Sequence, residues 1–146
     1  MMKYNGCILE FTAERNDELL RAYRYHLSKA KVIRAFDIAT AVVNSPAPRF
    51  WVSRERATEV ISAMLANRPL PHVLRPTKVE MFNEIFRRVL DLRRVRPNDP
   101  LVDLVDSVVN SPAPKFYMHP RSAMILIHKT KKLYFEKFQQ HTKIRR

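Results

Sequence analysis

The sequence predicts an all-α protein built as two tandem three-helix units, related by an internal repeat at an offset of 66 residues and packed as one domain. Three observations carry this expectation. The decapeptide VVNSPAPRFW at 42–51 returns as VVNSPAPKFY at 108–117. A single Gly stands against ten Pro, which leaves few sites of cheap positive φ and disfavours the tight hairpins of a sandwich or barrel. The apolar residues between the prolines recur at helical spacing.

Shifting the chain by 66 residues aligns 14–61 with 80–127 without a gap. Identities outside the decapeptide pair Glu14 with Glu80, Glu18 with Glu84, Arg21 with Arg87, Asp37 with Asp103, Ala57 with Ala123 and Ile61 with Ile127. The chain then divides into a first three-helix repeat over 1–66, a proline-rich connector over 67–77, and a second repeat over 78–146 with a longer basic C-terminal helix.

The elements follow in order. Leu19, Leu20, Tyr23 and Leu27 form one apolar stripe, predicting a first helix over about 12–27. A second helix is expected over about 29–43, through Ile33, Phe36, Thr40 and Val43, stopped by Asn-Ser-Pro because Pro46 cannot continue a helix and holds Ser45 extended. The segment from Pro46 to Val52 reads as an extended, Pro-rich corner, with a short strand where RFWVS and, in the second copy, KFYMH continue it. Ser53 caps a third helix that turns Ala57, Val60, Ile61, Met64 and Leu65 inward.

In the second copy, Thr77 with Glu80 predicts a capping box ahead of the stripe Met81, Phe82, Ile85, Phe86, Val89 and Leu90. Asp99 as cap and Pro100 at the first helical position predict the next helix over about 100–109. The last begins near Pro120 and carries Ala123, Leu126, Ile127, Thr130 and Tyr134. Its stretch SAMILIHK is apolar nearly all round, which predicts burial on more than one side, at the centre of the molecule or in a homodimer contact. In the connector, Leu70, Val73 and Leu74 are expected to be buried.

Lys plus Arg outnumber Asp plus Glu by 27 to 14, a formal charge of +13 that points to a polyanionic partner, nucleic acid first, with DNA before RNA, and anionic membrane second. The charge is uneven: 10 basic against 7 acidic residues in 1–66, 17 against 7 in 67–146. Cys7 is the only cysteine, the N-terminus lacks a signal-peptide apolar core, and no apolar run approaches a membrane span. The expectation is a cytoplasmic protein with no membrane partner.

One glycine, Gly6, excludes the phosphate-binding loops, and the five His residues have neither the close pairing nor the Cys partners of a zinc site, so no cofactor or metal is expected. Ser45 and Ser111 have no base beside them in either copy and read as helix-end residues. Asp37 and Asp103 are the acidic pair at matched positions of the second helices; a metal-dependent enzyme acting on nucleic acid through them is the third reading considered, and the expectation is a non-enzyme.

The candidate nucleic-acid contacts form three groups. The corners present Arg49 and Lys115 for phosphate beside Trp51 and Tyr117 for base stacking. The third helix of the first copy opens with Arg54, Arg56 and Thr58. The second copy adds Arg87, Arg88, Arg93, Arg94, Arg121, Lys129, Lys131 and Lys132, with Lys137, Lys143, Arg145 and Arg146 extending the charge to the C-terminus. With Ala39 and Ala57 as the small residues allowing close helix packing, 33–65 resembles in layout a tri-helical DNA-binding domain of the helix-turn-helix kind. The resemblance implies base reading by Arg54, Arg56 and Thr58, although the connection of about nine residues exceeds the usual three or four.

The function expected is therefore a small basic, non-catalytic, duplex-DNA-binding protein. The alternative is a structural or adaptor protein that grips an acidic protein partner through the two NSPAP-(R/K)-F-aromatic corners.

Overall fold

The structure is a computed structural model that describes residues 2–70 and 74–144, with side-chain surroundings over 11–70 and 74–140. Among the described residues the chain is all-α, with six helices and no strand: α1 (Met2–Lys29), α2 (Ala35–Val43), α3 (Arg54–Leu65), α4 (Pro76–Val95), α5 (Leu101–Val109) and α6 (Pro120–Ile144).

The helices sort into two bundles by packing. In the first, residues Met1–Ser45 and Met118–Arg146, α1, α2 and α6 each touch the other two. In the second, Pro46–Tyr117, α3, α4 and α5 do the same. α3 thus packs with the two helices that follow it in the chain, and α6 with the first two helices of the chain.

The first bundle buries Leu19 and Leu20 of α1, Ile38, Ala39, Val42 and Val43 of α2, and Ala123, Ile127 and Thr130 of α6. Thr130 is a polar residue in that core, and its hydroxyl is satisfied by donating to the Leu126 carbonyl at 2.7 Å. The second bundle buries Val60 and Ile61 of α3, Met81, Phe82, Ile85 and Val89 of α4, and Leu104, Val105, Val108 and Val109 of α5, together with both corners.

Several helix boundaries have local causes. Ser53 caps α3 by accepting the Arg56 N–H at 3.1 Å. At the other end of α3, Asn67 takes φ 52°, with its N–H bonded to the Met64 carbonyl and the Arg68 N–H to the Ala63 carbonyl. That is a Schellman motif in which Asn does what glycine does in most chains. His119 caps α6, its Nδ1 accepting the Arg121 N–H at 3.1 Å. The exits of α2 and α5 are the same structure twice: Asn44 and Asn110 end the helices, and the hydroxyls of Ser45 and Ser111 donate to the carbonyls of Val42 and Val108.

Other boundaries differ from the sequence reading. α2 begins at Ala35, not near 29: Arg34 is its extended N-cap and makes no side-chain cap bond. The β-branched pair Val32 and Ile33 favours extended backbone, and Ile33 and Phe36 are exposed by 70% and 55% instead of buried. α4 starts at Pro76, so Thr77 lies inside the helix and caps nothing, while Pro100 is the N-cap of α5 in place of Asp99. In the stretch SAMILIHK, expected to be buried on more than one side, Ala123 and Ile127 are buried while Ile125 is 56% exposed. Leu70 is exposed and Leu74 half-buried; Val73 lies outside the described residues.

The corners form no strands, but they pair at one point. Ala47 and Ala113 exchange both backbone hydrogen bonds, at 3.0 and 2.9 Å, as an isolated antiparallel bridge. Each alanine stands between two prolines, Pro46 and Pro48 or Pro112 and Pro114. Flanking positions in an antiparallel pair turn their N–H outward, so these prolines hold the backbone extended without breaking the bridge and leave no outward donor for another strand.

Candidate nucleic-acid interface

The corners are the first candidate, and their rings are core. Phe50 and Phe116 are fully buried, and Trp51 and Tyr117 retain 6% and 4% of their surface. Phe50 stacks on Tyr117 with centroids 5.9 Å apart, and Phe116 on Trp51 at 6.4 Å, so each copy's Phe meets the other copy's second aromatic. Arg49 lies over the Trp51 ring at 5.9 Å and Lys115 over the Tyr117 ring at 5.5 Å. Trp51 and Tyr117 offer no open face to a nucleobase, which corrects the stacking role read from their position beside a base. The same burial removes Phe50, Trp51, Phe116 and Tyr117 as anchors for a protein partner.

The cations around the corners are tied to the fold. Arg49 donates to the carbonyls of Phe50 and Val52, both at 3.0 Å, and Lys115 pairs with Glu80. Arg88 does most: it donates to the Pro112 carbonyl at 2.8 Å and to Ser111, pairs with Glu84, and covers the Phe50 ring at 5.0 Å. Arg87 bridges Glu84 and Asp91 from an exposed position. Its hydrogen bonds hold the Glu84 carboxyl below the usual carboxylate range, against the opposing effect of burial.

Tyr117 shows how firmly this region is set. It takes φ 56°, a left-handed conformation that costs a non-glycine residue roughly 1–2 kcal/mol, and the Lys78 ammonium donates to its carbonyl at 3.3 Å. Its hydroxyl is pushed up to about 12, first by burial and then by the charges of Glu84 and Glu80.

The second candidate is the start of α3. Arg54 is exposed beside Glu55 at 3.1 Å; Arg56 is half-buried; and the half-buried Thr58 turns its hydroxyl back to the Arg54 carbonyl at 2.7 Å. The layout anticipated for 33–65 is replaced by another: Ala39 is buried with α1 and α6 as neighbours of its helix, Ala57 with α4 and α5.

The third candidate is α6. It carries Arg121, Lys129, Lys131, Lys132, Lys137 and Lys143 against one acid, Glu136. Arg121, Lys129 and Lys132 are exposed, and their spacing puts them on one side of the helix, turned from the buried stripe of Ala123, Ile127 and Thr130. None of the three makes an ion pair among the described residues. Lys131 instead covers the Tyr23 ring at 5.4 Å. The side chains of Lys143, Arg145 and Arg146 lie outside the described residues.

An open groove of about 810 Å³ runs between α1 and α6, lined by Asp17, Leu20, Arg21, Arg24, Tyr134, Lys137 and Phe138. Asp17 accepts the Tyr134 hydroxyl at 2.7 Å, which raises the Tyr134 pKa, and Arg21 leans to Glu18. Arg24 comes beside Lys137 only because α1 pairs with α6, and no local pattern in the sequence marks it.

In the second bundle, Arg93 and Arg94 are exposed in the last turn of α4, where cations also complement the helix dipole. Asp37 and Asp103 stand exposed in the first turns of α2 and α5, where a carboxylate is stabilised by the same dipole. Among the described residues no group of three His, Cys, Asp or Glu side chains converges, and no helix is long and apolar enough to cross a membrane. No protein-family model, curated protein or solved structure matches the chain.

Proposed function

We propose that the protein is a small non-catalytic nucleic-acid-binding protein that holds the phosphates of duplex DNA with the solvent face of α6. The observation that supports this reading most is the row of Arg121, Lys129 and Lys132, exposed on one side of a helix and engaged by no carboxylate among the described residues. At about 1.5 Å per residue the row is about 16 Å long, enough to follow several phosphates spaced about 3.4 Å per base pair along a strand. Arg24 and Lys137 at the α1–α6 groove add two further cations. The chemistry is phosphate attraction, with no stacking from Trp51 or Tyr117.

The finer reading of the fold, an internal duplication, belongs with this proposal. Its support is the repetition of contacts as well as letters: matched Ser caps on α2 and α5, a base over the second aromatic in both corners, and reciprocal ring pairs.

The test is binding to labelled duplex DNA, single-stranded DNA and RNA across a salt series, with heparin as a polyanion control. The expected result is duplex preference with log K falling linearly in log salt, by about 0.9 per phosphate contacted. Equal binding to every polyanion would reduce the charge to general attraction and remove the assignment.

A further inference from the structure

The connection between α1 and α2 exposes apolar side chains among sequence-adjacent cations. Val32 and Ile33 are exposed by 69% and 70%, and Phe36, in the first turn of α2, by 55%. Beside them in the sequence are the exposed Lys29, Lys31 and Arg34, which form no ion pair among the described residues, although Lys29 lies over the Tyr25 ring at 6.0 Å; the nearest acid in sequence is the exposed Asp37. The local backbone gives the exposure a cause: Ser28 turns its hydroxyl to the Tyr25 carbonyl at the end of α1, and Arg34 stays extended before α2, so the two β-branched residues fall outside both helices.

Exposed apolar side chains on a turn that also carries exposed cations fit two phases at once: hydrocarbon for the apolar groups and anionic headgroups for the bases. A protein partner would need a preformed hollow of matching shape, whereas the lipid interface needs none. Nucleic acid would answer the cations but leave Val32, Ile33 and Phe36 in water.

We infer that the α1–α2 turn is an insertion tip for anionic bilayers, with Val32, Ile33 and Phe36 entering the interface while Lys29, Lys31 and Arg34 contact lipid phosphates and carboxylates. This association is peripheral and reversible, and it uses a surface other than the α6 row assigned to DNA.

The test is co-sedimentation of the full chain with vesicles of phosphatidylserine in phosphatidylcholine, and of phosphatidylcholine alone. Binding is expected only to the anionic vesicles. The double variant Val32→Asn with Ile33→Asn should bind them at least about tenfold more weakly, because a bound state that depends on apolar insertion plus charge loses one of its two contributions. Thermal melting should be unchanged, since both side chains are already in water, and duplex DNA affinity should stay within about twofold of the parent. Parent and double variant binding anionic vesicles equally would overturn the tip and reduce the effect to net charge. Failure of the parent to prefer anionic vesicles would overturn it outright. So would a parent that sediments as a dimer while the double variant is a monomer, because a second copy would then be the occupant. Loss of DNA binding by Lys129 and Lys132 variants, with vesicle binding kept, would separate the two surfaces.

Discussion

The two helical bundles use similar residues to opposite ends. Both corners lie in the second bundle, where five buried aromatic side chains (Phe50, Trp51, Phe82, Phe116 and Tyr117) fill the interior and the nearby bases, Arg49, Arg88 and Lys115, are bonded to carbonyls, carboxylates or rings. The first bundle buries no aromatic side chain among the described residues. It leaves Tyr25, Phe36, Phe135 and much of the lysine of α6 facing solvent. A basic or aromatic residue therefore has no fixed meaning in this chain. Beside a proline corner it is structure, and along α6 or the α1–α2 turn it is surface available for binding.

The contrast can be broken most sharply in the aromatic core. Phe116→Ala removes a fully buried ring that stacks on Trp51, and a loss of about 3–5 kcal/mol is expected in urea unfolding. Phe135→Ala, at an exposed position of α6, should change stability by less than about 0.5 kcal/mol. If the two variants melted alike, the second bundle would not have the core described.

A smaller effect sharpens the likeness of the two helix exits. Ser45→Ala and Ser111→Ala each remove one hydroxyl-to-carbonyl bond of the same geometry, so each should cost about 0.5–1.5 kcal/mol. Ser111→Ala should be the costlier of the two, because Ser111 also accepts from Arg88 at 3.3 Å.

The pH dependence singles out the second corner. Burial favours the neutral Tyr117 phenol in the folded chain, so its contribution is complete below the ordinary phenol value of 10.0 and is lost as pH rises from there through about 12. Tyr117→Phe should flatten the stability profile in that window. An unchanged alkaline limb, followed by circular dichroism, would mean that the hydroxyl is solvated.

Much of this was legible in the sequence, and what was missed is mostly non-local. Helix stops at Asn-Ser-Pro, the Ser53 cap and the Met81-to-Val89 stripe are decided by residues within a turn or two of each other. The packing of α6 against α1 and α2 is not local. A repeated sequence offers nearly the same apolar stripe to either third helix, so periodicity cannot say which one docks where. The misread role of Trp51 and Tyr117 is non-local too, because their partners, Phe116 and Phe50, lie 65 or 67 residues away in the chain. The late start of α2 had a visible sign in Val32 and Ile33, whose β-branching outweighed a helical spacing that seemed to continue through Phe36.

The central proposal is that the corner recurring at 42–51 and 108–117 is structural and that the α6 face is the one that binds. The most direct measurement compares duplex DNA affinity, at one salt concentration, for Lys115→Gln and for the double variant Lys129→Gln with Lys132→Gln. Lys115→Gln should stay within about twofold of the parent, because its ammonium already serves Glu80 and Tyr117, while the double variant should weaken binding about tenfold or more and reduce the salt slope by about 2. A Lys115→Gln protein that melts like the parent but loses as much affinity as the double variant would contradict the account.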